Sequence, residues 1–216
     1  VDPAVQKAVN RVQPLEMTKA TLDQARELDF KSINIDLIYG LPLQNRVGFQ
    51  KTLQHIIDLS PDRISVFNYA HLPERFMPQR RIQSEDLPSP ETKLGMLQDS
   101  IQMLTQAGYI YIGMDHFAKP NDSLAQAQQA GKLHRNFQGY TTHPDCDLVA
   151  LGVSSISQIG HSYMQNSADI EVYQSQLAQG HLPINKGLTL TDEDELRQAV
   201  IKQLICHFNL SFSDIE

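Results

Sequence analysis

The run Ile33-Asn34-Ile35-Asp36-Leu37-Ile38, followed at once by Tyr39-Gly40-Leu41-Pro42, restricts the fold of this chain more than any other stretch. Six isoleucine-rich residues closed by a Gly/Pro turn predict a strand, and helical patterns on both sides place it in a parallel α/β sheet. Side chains alternate across a strand, so Ile33, Ile35 and Leu37 face one way and Asn34, Asp36 and Ile38 the other. Strands of parallel sheets are usually apolar on both faces, and here an amide and a carboxylate share one. They either serve a structural hydrogen bond, since buried polar groups are paired, or meet a ligand at the C-terminal end of the strand, where α/β folds place their sites. We favour the second.

Helices and strands alternate along the chain. Asp2-Pro3 supplies an N-cap and a first-turn proline for a short helix ending near Asn10-Arg11. A second helix, about 18–28, carries Leu22, Ala25 and Leu28 on one stripe. A third carries Phe49, Leu53, Ile56 and Ile57 and stops at Pro61. Residues 63–70 predict a second strand, and the loop from His71 to Pro90, with Arg75, Arg80 and Arg81, is longer than most connections. Ser89-Pro90 caps a helix with Leu94, Leu97, Ile101 and Leu104 that Gly108 terminates. Residues 109–113 predict a third strand. An irregular stretch over 114–144 then holds Asp115-His116 and a short helix capped by Asp122 and ended by Gly131. Residues 148–152 predict a fourth strand running into Val153-Ser154-Ser155-Ile156.

Four strands with three helical crossovers predict part of a (β/α) barrel over residues 1–160. The polar strand ends Asp36, Ala70-His71, Asp115-His116 and Ser154-Ser155 are expected to converge on one face. Residues 161–216 predict an incomplete, mostly helical module, winged-helix-like in outline. It has a helix over about 168–179, a short 187–190 segment, and a helix through His207 started by Thr191 and Asp194.

At 216 residues and 41% hydrophobic, the chain can bury one substantial core, and a net charge of −7 argues against a nucleic-acid surface. Two cysteines, Cys146 and Cys206, have no metal-ligand spacing, and no apolar run reaches the ~20 residues of a membrane span. The expectation is a cytoplasmic protein acting on a small molecule, with no nucleic-acid or membrane partner. Residue 1 is Val, and Ser213–Glu216 read as the start of a helix, so a piece of a longer protein is expected.

Three segments carry a resemblance: Asn34 to Pro42, Gly113-Met114-Asp115-His116-Phe117-Ala118, and above all His134-Arg135-Asn136-Phe137-Gln138-Gly139-Tyr140-Thr141-Thr142. In these the chain resembles the bacterial oxygen-independent coproporphyrinogen III oxidase (dehydrogenase) family of radical SAM enzymes, over its full length but only part of the family's. The resemblance implies an α/β fold: the C-terminal part of a partial (β/α)6 radical SAM barrel, plus an incomplete helical module. It further implies an oxidoreductase of haem biosynthesis. Members are described as cleaving S-adenosylmethionine at a [4Fe-4S] cluster to make a 5′-deoxyadenosyl radical. The radical takes hydrogen from two propionates of coproporphyrinogen III, and loss of carbon dioxide leaves the vinyl groups of protoporphyrinogen IX. The family's CxxxCxxC cluster motif and Gly-rich methionine-binding strand do not occur in this sequence.

By motif matching, the resemblance implies S-adenosylmethionine contacts at Arg11, Asp36, Ala70 and Ile156, for a family that binds two such molecules. It places Phe137 and Gln138 beside the second cofactor or the substrate, with Arg135 a candidate for the substrate carboxylates. No catalytic residue and no metal ligand is assigned. The whole enzyme is expected to be a monomer, and the piece to be inactive alone in the absence of its cluster ligands and to have a bare strand edge open to self-association. Two other readings stand beside this one: a haem-binding or haem-transfer chaperone of the same superfamily, and a metal-dependent barrel hydrolase using His71, His116 and Asp36.

Overall fold

A computed structural model describes residues 1–143 and 146–211. Packing divides the chain into two units, Val1–Gln126 and Ala127–Glu216. In the first, α1 (Pro3–Ala8) and α2 (Leu15–Glu27) precede β1 (Asn34–Tyr39), and α3 (Arg46–Leu59) connects β1 to β2 (Arg63–Asn68). Then α4 (Pro90–Gln106) leads to β3 (Ile110–Gly113), β4 (His116–Ala118) and α5 (Ser123–Gln129). Strands β1 and β2 are parallel, with Asp36 opposite Ser65 and Ile38 opposite Phe67. The expected alternation holds in β1, where Leu37 and Tyr39 are buried while Asn34, Asp36 and Ile38 are exposed.

The sheet order is β1-β2-β4-β3, with β4 antiparallel to both of its neighbours. The chain therefore crosses by α4 to the sheet edge and folds back as a hairpin, and His116–Ala118, expected in a loop, is a strand. The reversal is made by Met114 and Asp115, both with positive φ (41° and 69°), a conformation that hairpin turns usually assign to Asn or Gly. Leu37, Tyr39, Ile64 and Val66 pack against Phe49, Leu53 and Ile56 of α3 and Met96 and Leu104 of α4. Burial of each such side chain contributes about 1.5–3 kcal/mol.

Polar ties fix the ends of these elements. Buried Asp122 caps α5 through Leu124 N and accepts Arg63 Nε at 2.9 and 3.0 Å and Ser32 Oγ at 3.0 Å, joining the starts of β1, β2 and α5. Ser89 caps α4 by accepting from Thr92 N, as the Ser-Pro pair predicts.

The second unit holds a two-stranded hairpin, β5 (His134–Asn136) with β6 (Gly139–Thr141). It also holds an antiparallel sheet of β7 (Ile156–Ile159), β8 (Ser162–Asn166) and β9 (Ile184–Thr189), together with α6 (Ile170–Ala178) and α7 (Asp192–His207). The capping box of Thr191 and Asp194 starts α7. The expected fourth strand at 148–152 does not form, and only an isolated bridge, Leu148 to Gln158, is present. Side chains satisfy its backbone in place of a ladder. Ala150 N donates to Ser157 Oγ at 3.0 Å, Gly152 N donates to Tyr173 Oη at 3.0 Å, and Asn166 Nδ2 donates to the Gly152 carbonyl at 3.0 Å. The helix start read at Ser213–Glu216 lies outside the described residues. Among the described residues no helix is long and apolar enough to cross a membrane.

Candidate functional site

The open face of β1 forms one wall of a cavity of about 550 Å³ in the first unit, bounded also by Phe67 of β2, Phe49 and Thr52 of α3, and the chain after α1. Arg11 and Asp36 both line it, so a side chain that is always cationic and a carboxylate share one hollow. Arg11 reaches it because α1 is short. Its backbone N–H closes back on the Gln6 carbonyl at 2.9 Å, and Asn10 turns the chain through a positive φ of 53°.

Three glutamines that line this cavity each clasp a backbone segment through both ends of the side-chain amide. Gln6 Nε2 donates to the Gln13 carbonyl at 2.7 Å while its Oε1 accepts from Gln13 N at 2.9 Å. Gln44 Nε2 donates to the Ile38 carbonyl at 3.0 Å and accepts from Leu41 N at 2.9 Å, fixing the Gly40-Leu41-Pro42 turn after β1. Gln79 Nε2 donates to the Ala70 carbonyl at 3.0 Å and accepts from Leu72 N at 2.5 Å, pinning the long loop to the chain beyond β2. Each amide satisfies a backbone N–H and a carbonyl outside regular structure, the Gln44 and Gln79 clasps just beyond the ends of β1 and β2. Sequence reading missed all three, because nothing in a lone Gln distinguishes a clasp from a solvated face.

Beside the cavity, which Asp36 lines, Asn34 Nδ2 donates to Asp36 Oδ1 at 2.6 Å, and Ser65 Oγ donates to Asn34 Oδ1 at 3.3 Å. Ser65 is 2% exposed. Strand alternation made the first contact legible from sequence. The second depends on the β1–β2 register, which no sequence signal gives.

The other strand ends behave differently. Ala70 is exposed, and its carbonyl is engaged by Gln79. His71 Nδ1 lies 3.2 Å from the Tyr69 hydroxyl, and His116 Nδ1 lies 2.6 Å from the Met114 carbonyl, to which it donates, with its ring edge-on to Phe67 at 5.7 Å. Burial pushes the Asp115 carboxyl up from its ordinary value, against the opposing pull of His116. The trio required by a hydrolase does not assemble: among the described residues no three His, Cys, Asp or Glu side chains converge on a point.

Arg135, Phe137, Gln138 and Ile156 belong to the second unit. Phe137 and Gln138 form the two-residue tip of the β5–β6 hairpin, between Asn136 and Gly139, whose φ is 129°. Gln138 N donates to Asn136 Oδ1 at 2.8 Å. The Phe137 ring is 60% exposed and meets Tyr163 of β8 edge-on, with centroids 5.2 Å apart. Tyr163 in turn accepts a hydrogen bond from Gln198 of α7. Arg135 points away from the tip. Its guanidinium stacks over Tyr140 at 4.7 Å, and its Nη1 is buried with no hydrogen-bond partner among the described residues. Ile156, at the start of β7, is half-buried.

No protein-family model matches the chain. It is 61% identical over 215 residues to the oxygen-independent coproporphyrinogen III oxidase of Pseudomonas aeruginosa, covering 100% of this chain and 47% of that protein. It is 53% identical to the enzyme of the same name from Escherichia coli, covering 98% and 46%, and 50% identical to that of Thermostichus vulcanus, covering 97% and 65%. The chain spans about half the length of most of the curated relatives it matches. A solved structure of coproporphyrinogen III oxidase (HemN) from Escherichia coli, described as a radical SAM enzyme, superposes with a TM-score of 0.97 at 53% identity. It covers 100% of this chain and 50% of that one.

Proposed function

We propose, from the premise that this chain corresponds throughout its length to part of an oxygen-independent coproporphyrinogen III oxidase of the radical SAM class, that it supplies much of the S-adenosylmethionine and substrate site of such an enzyme. The whole protein would oxidatively decarboxylate two propionates of coproporphyrinogen III to give protoporphyrinogen IX, in the cytoplasm and as a monomer. The observation that carries this reading is the cavity holding Arg11 and Asp36 together, in a chain that matches relatives of this name along its full length.

The residues present suit S-adenosylmethionine. A cavity of about 550 Å³ with an arginine, a carboxylate and apolar walls has the size and mixed polarity of a small-molecule site. Arg11 would take the ligand carboxylate through its planar fork. Asp36, an acceptor only when ionised, would take hydrogen bonds from the ammonium or the ribose hydroxyls. Ala70 and Ile156, the other two positions that the resemblance implies, do not line this cavity. Bound S-adenosylmethionine supplies the radical chemistry, and these side chains orient it and exclude water. Phe137 and Gln138, exposed at a hairpin tip, offer a ring face and an amide to the second cofactor or the porphyrinogen.

The cluster does not fit this part of the protein. Cys206 is buried, and burial pushes its thiol up, away from the thiolate that iron ligation needs, while Cys146 is exposed. Two cysteines also fall short of a three-thiolate site, so the [4Fe-4S] ligands must come from the remainder of the enzyme.

The test is equilibrium binding of S-adenosylmethionine to the full-length protein. Asp36→Ala and Arg11→Ala should each weaken binding about tenfold or more, the loss of roughly one charge-assisted hydrogen bond, with thermal midpoints within a few degrees of the parent. Unchanged affinity in both variants would overturn the assignment.

A further inference from the structure

We infer that Asn34 is the positioning residue for Asp36, and that Ser65 anchors the Asn34 amide to β2. This rests on the reading of Asp36 as an S-adenosylmethionine contact and adds to it the means by which the carboxylate is held. Asn34 and Asp36 are two residues apart on the exposed face of β1, so their side chains stand side by side. Asn34 Nδ2 donates to Asp36 Oδ1 at 2.6 Å. Behind the pair, Ser65 of β2 sits in register with Asp36 and is 2% exposed, and its hydroxyl donates to Asn34 Oδ1 at 3.3 Å.

An amide can be turned over by half a rotation of its terminal torsion, and the two orientations are chemically opposite. In the orientation present, the amide N–H meets a carboxylate and the amide oxygen meets a hydroxyl. In the reverse, the amide oxygen would face the Asp36 carboxylate, and repulsion would replace a charge-assisted hydrogen bond. The choice is made by the carboxylate; Ser65, whose hydroxyl can donate or accept, ties the far end of the amide to β2 in the orientation that Asp36 selects.

Two consequences reach the ligand. Asp36 Oδ1 is committed to a neutral donor, which leaves Oδ2 for the ligand. Because the partner is an amide and not a lysine or arginine, Asp36 is in no ion pair among the described residues; Arg63, opposite Asn34 in the register, is engaged by Asp122. Asp36 thus remains an acceptor suited to the cationic or hydroxylated part of S-adenosylmethionine and unsuited to its carboxylate.

The experiment is carried out on the full-length protein, with S-adenosylmethionine as the probe and equilibrium dissociation constants measured from pH 6 to pH 8.5. Asn34→Ala is expected to weaken binding about 3- to 10-fold and Ser65→Ala by about half as many decades, since the hydroxyl acts only through the amide. Adding Asn34→Ala to Asp36→Ala should cost nothing further, because the carboxylate it positions is gone.

Parent-like affinity in both Asn34→Ala and Ser65→Ala, alongside the expected loss in Asp36→Ala, would overturn this inference and leave the function standing. So would additive losses in the double variant. Parent-like affinity in Asp36→Ala would instead remove the functional reading beneath it. Asn34 is exposed, so thermal midpoints of its variants should stay within a few degrees of the parent.

Discussion

The guanidinium of Arg46 on α3 lies across Gly95 of α4 to reach the buried carboxylate of Asp99, with Nε to Oδ2 at 2.9 Å and Nη2 to Oδ1 at 2.6 Å. Gln50 completes the contact with a hydrogen bond to Asp99 Oδ2 at 3.0 Å. The two helices that back β1 and β2 are thereby locked in one register, and the lock needs a residue without a Cβ at position 95.

A Cβ at Gly95 would stand 2.8 Å from both Cδ and Nε of Arg46. Gly95→Ala gains about 1 kcal/mol of helix propensity, but overpacking costs about 1–3 kcal/mol, and here it also dislodges a bidentate pair. The net expectation is destabilisation by about 1 kcal/mol in urea unfolding. A variant as stable as the parent, or more so, would show that Arg46 shifts aside freely.

The hydrogen bond from Arg46 holds the Asp99 carboxyl below its ordinary value despite the opposing effect of burial. A group whose folded value is depressed contributes stability that is present above its unfolded value, about 4, and is lost as pH falls through the folded one. The stability gap between the parent and Asp99→Asn should therefore be full near pH 7 and shrink below about pH 4. Urea midpoints collected from pH 7 down to pH 3 measure it, and a gap that does not change with pH would contradict this.

Tyr163 is the shelf under the hairpin tip that carries Phe137. Edge-to-face pairs of this kind contribute about 0.5–1.5 kcal/mol beyond their area. In the full-length enzyme, Tyr163→Phe keeps the ring and should retain activity within about threefold. Tyr163→Ala removes it and should lower activity about tenfold or more, at a thermal midpoint little below that of Tyr163→Phe. Equal activity in the two variants would mean that the tip holds its own position.

Local chemistry was legible wherever a short sequence decides the outcome alone. The Ile33–Pro42 strand and turn, the Ser89-Pro90 cap and the Thr191/Asp194 box all follow from residues within a few positions of one another. The β3–β4 reversal was not legible, because Met114, not a usual turn residue, takes a positive φ before Asp115. Residues 148–152 read as a strand from Leu148, Val149 and Leu151, yet Val149 and Leu151 are 67% and 86% exposed. Distant side chains from Ser157, Asn166 and Tyr173 satisfy that backbone. Of the candidate site, Arg11 and Asp36 were named in advance and share a cavity. Ser65 and the glutamine clasps were missed because each depends on which segment lies next to it in space.

The clasp made by Gln79 bears on how this chain can diversify. Since one side chain registers the loop against the Ala70 carbonyl and the Leu72 amide, Pro78, Gln79 and Ile82 stay in the cavity wall whatever the intervening residues do. None of the residues from Pro73 to Met77 lines the cavity, and the span is tied to Leu72, Gln79 and Arg80 through its backbone, so its side chains are free to drift while the pocket it borders keeps its dimensions.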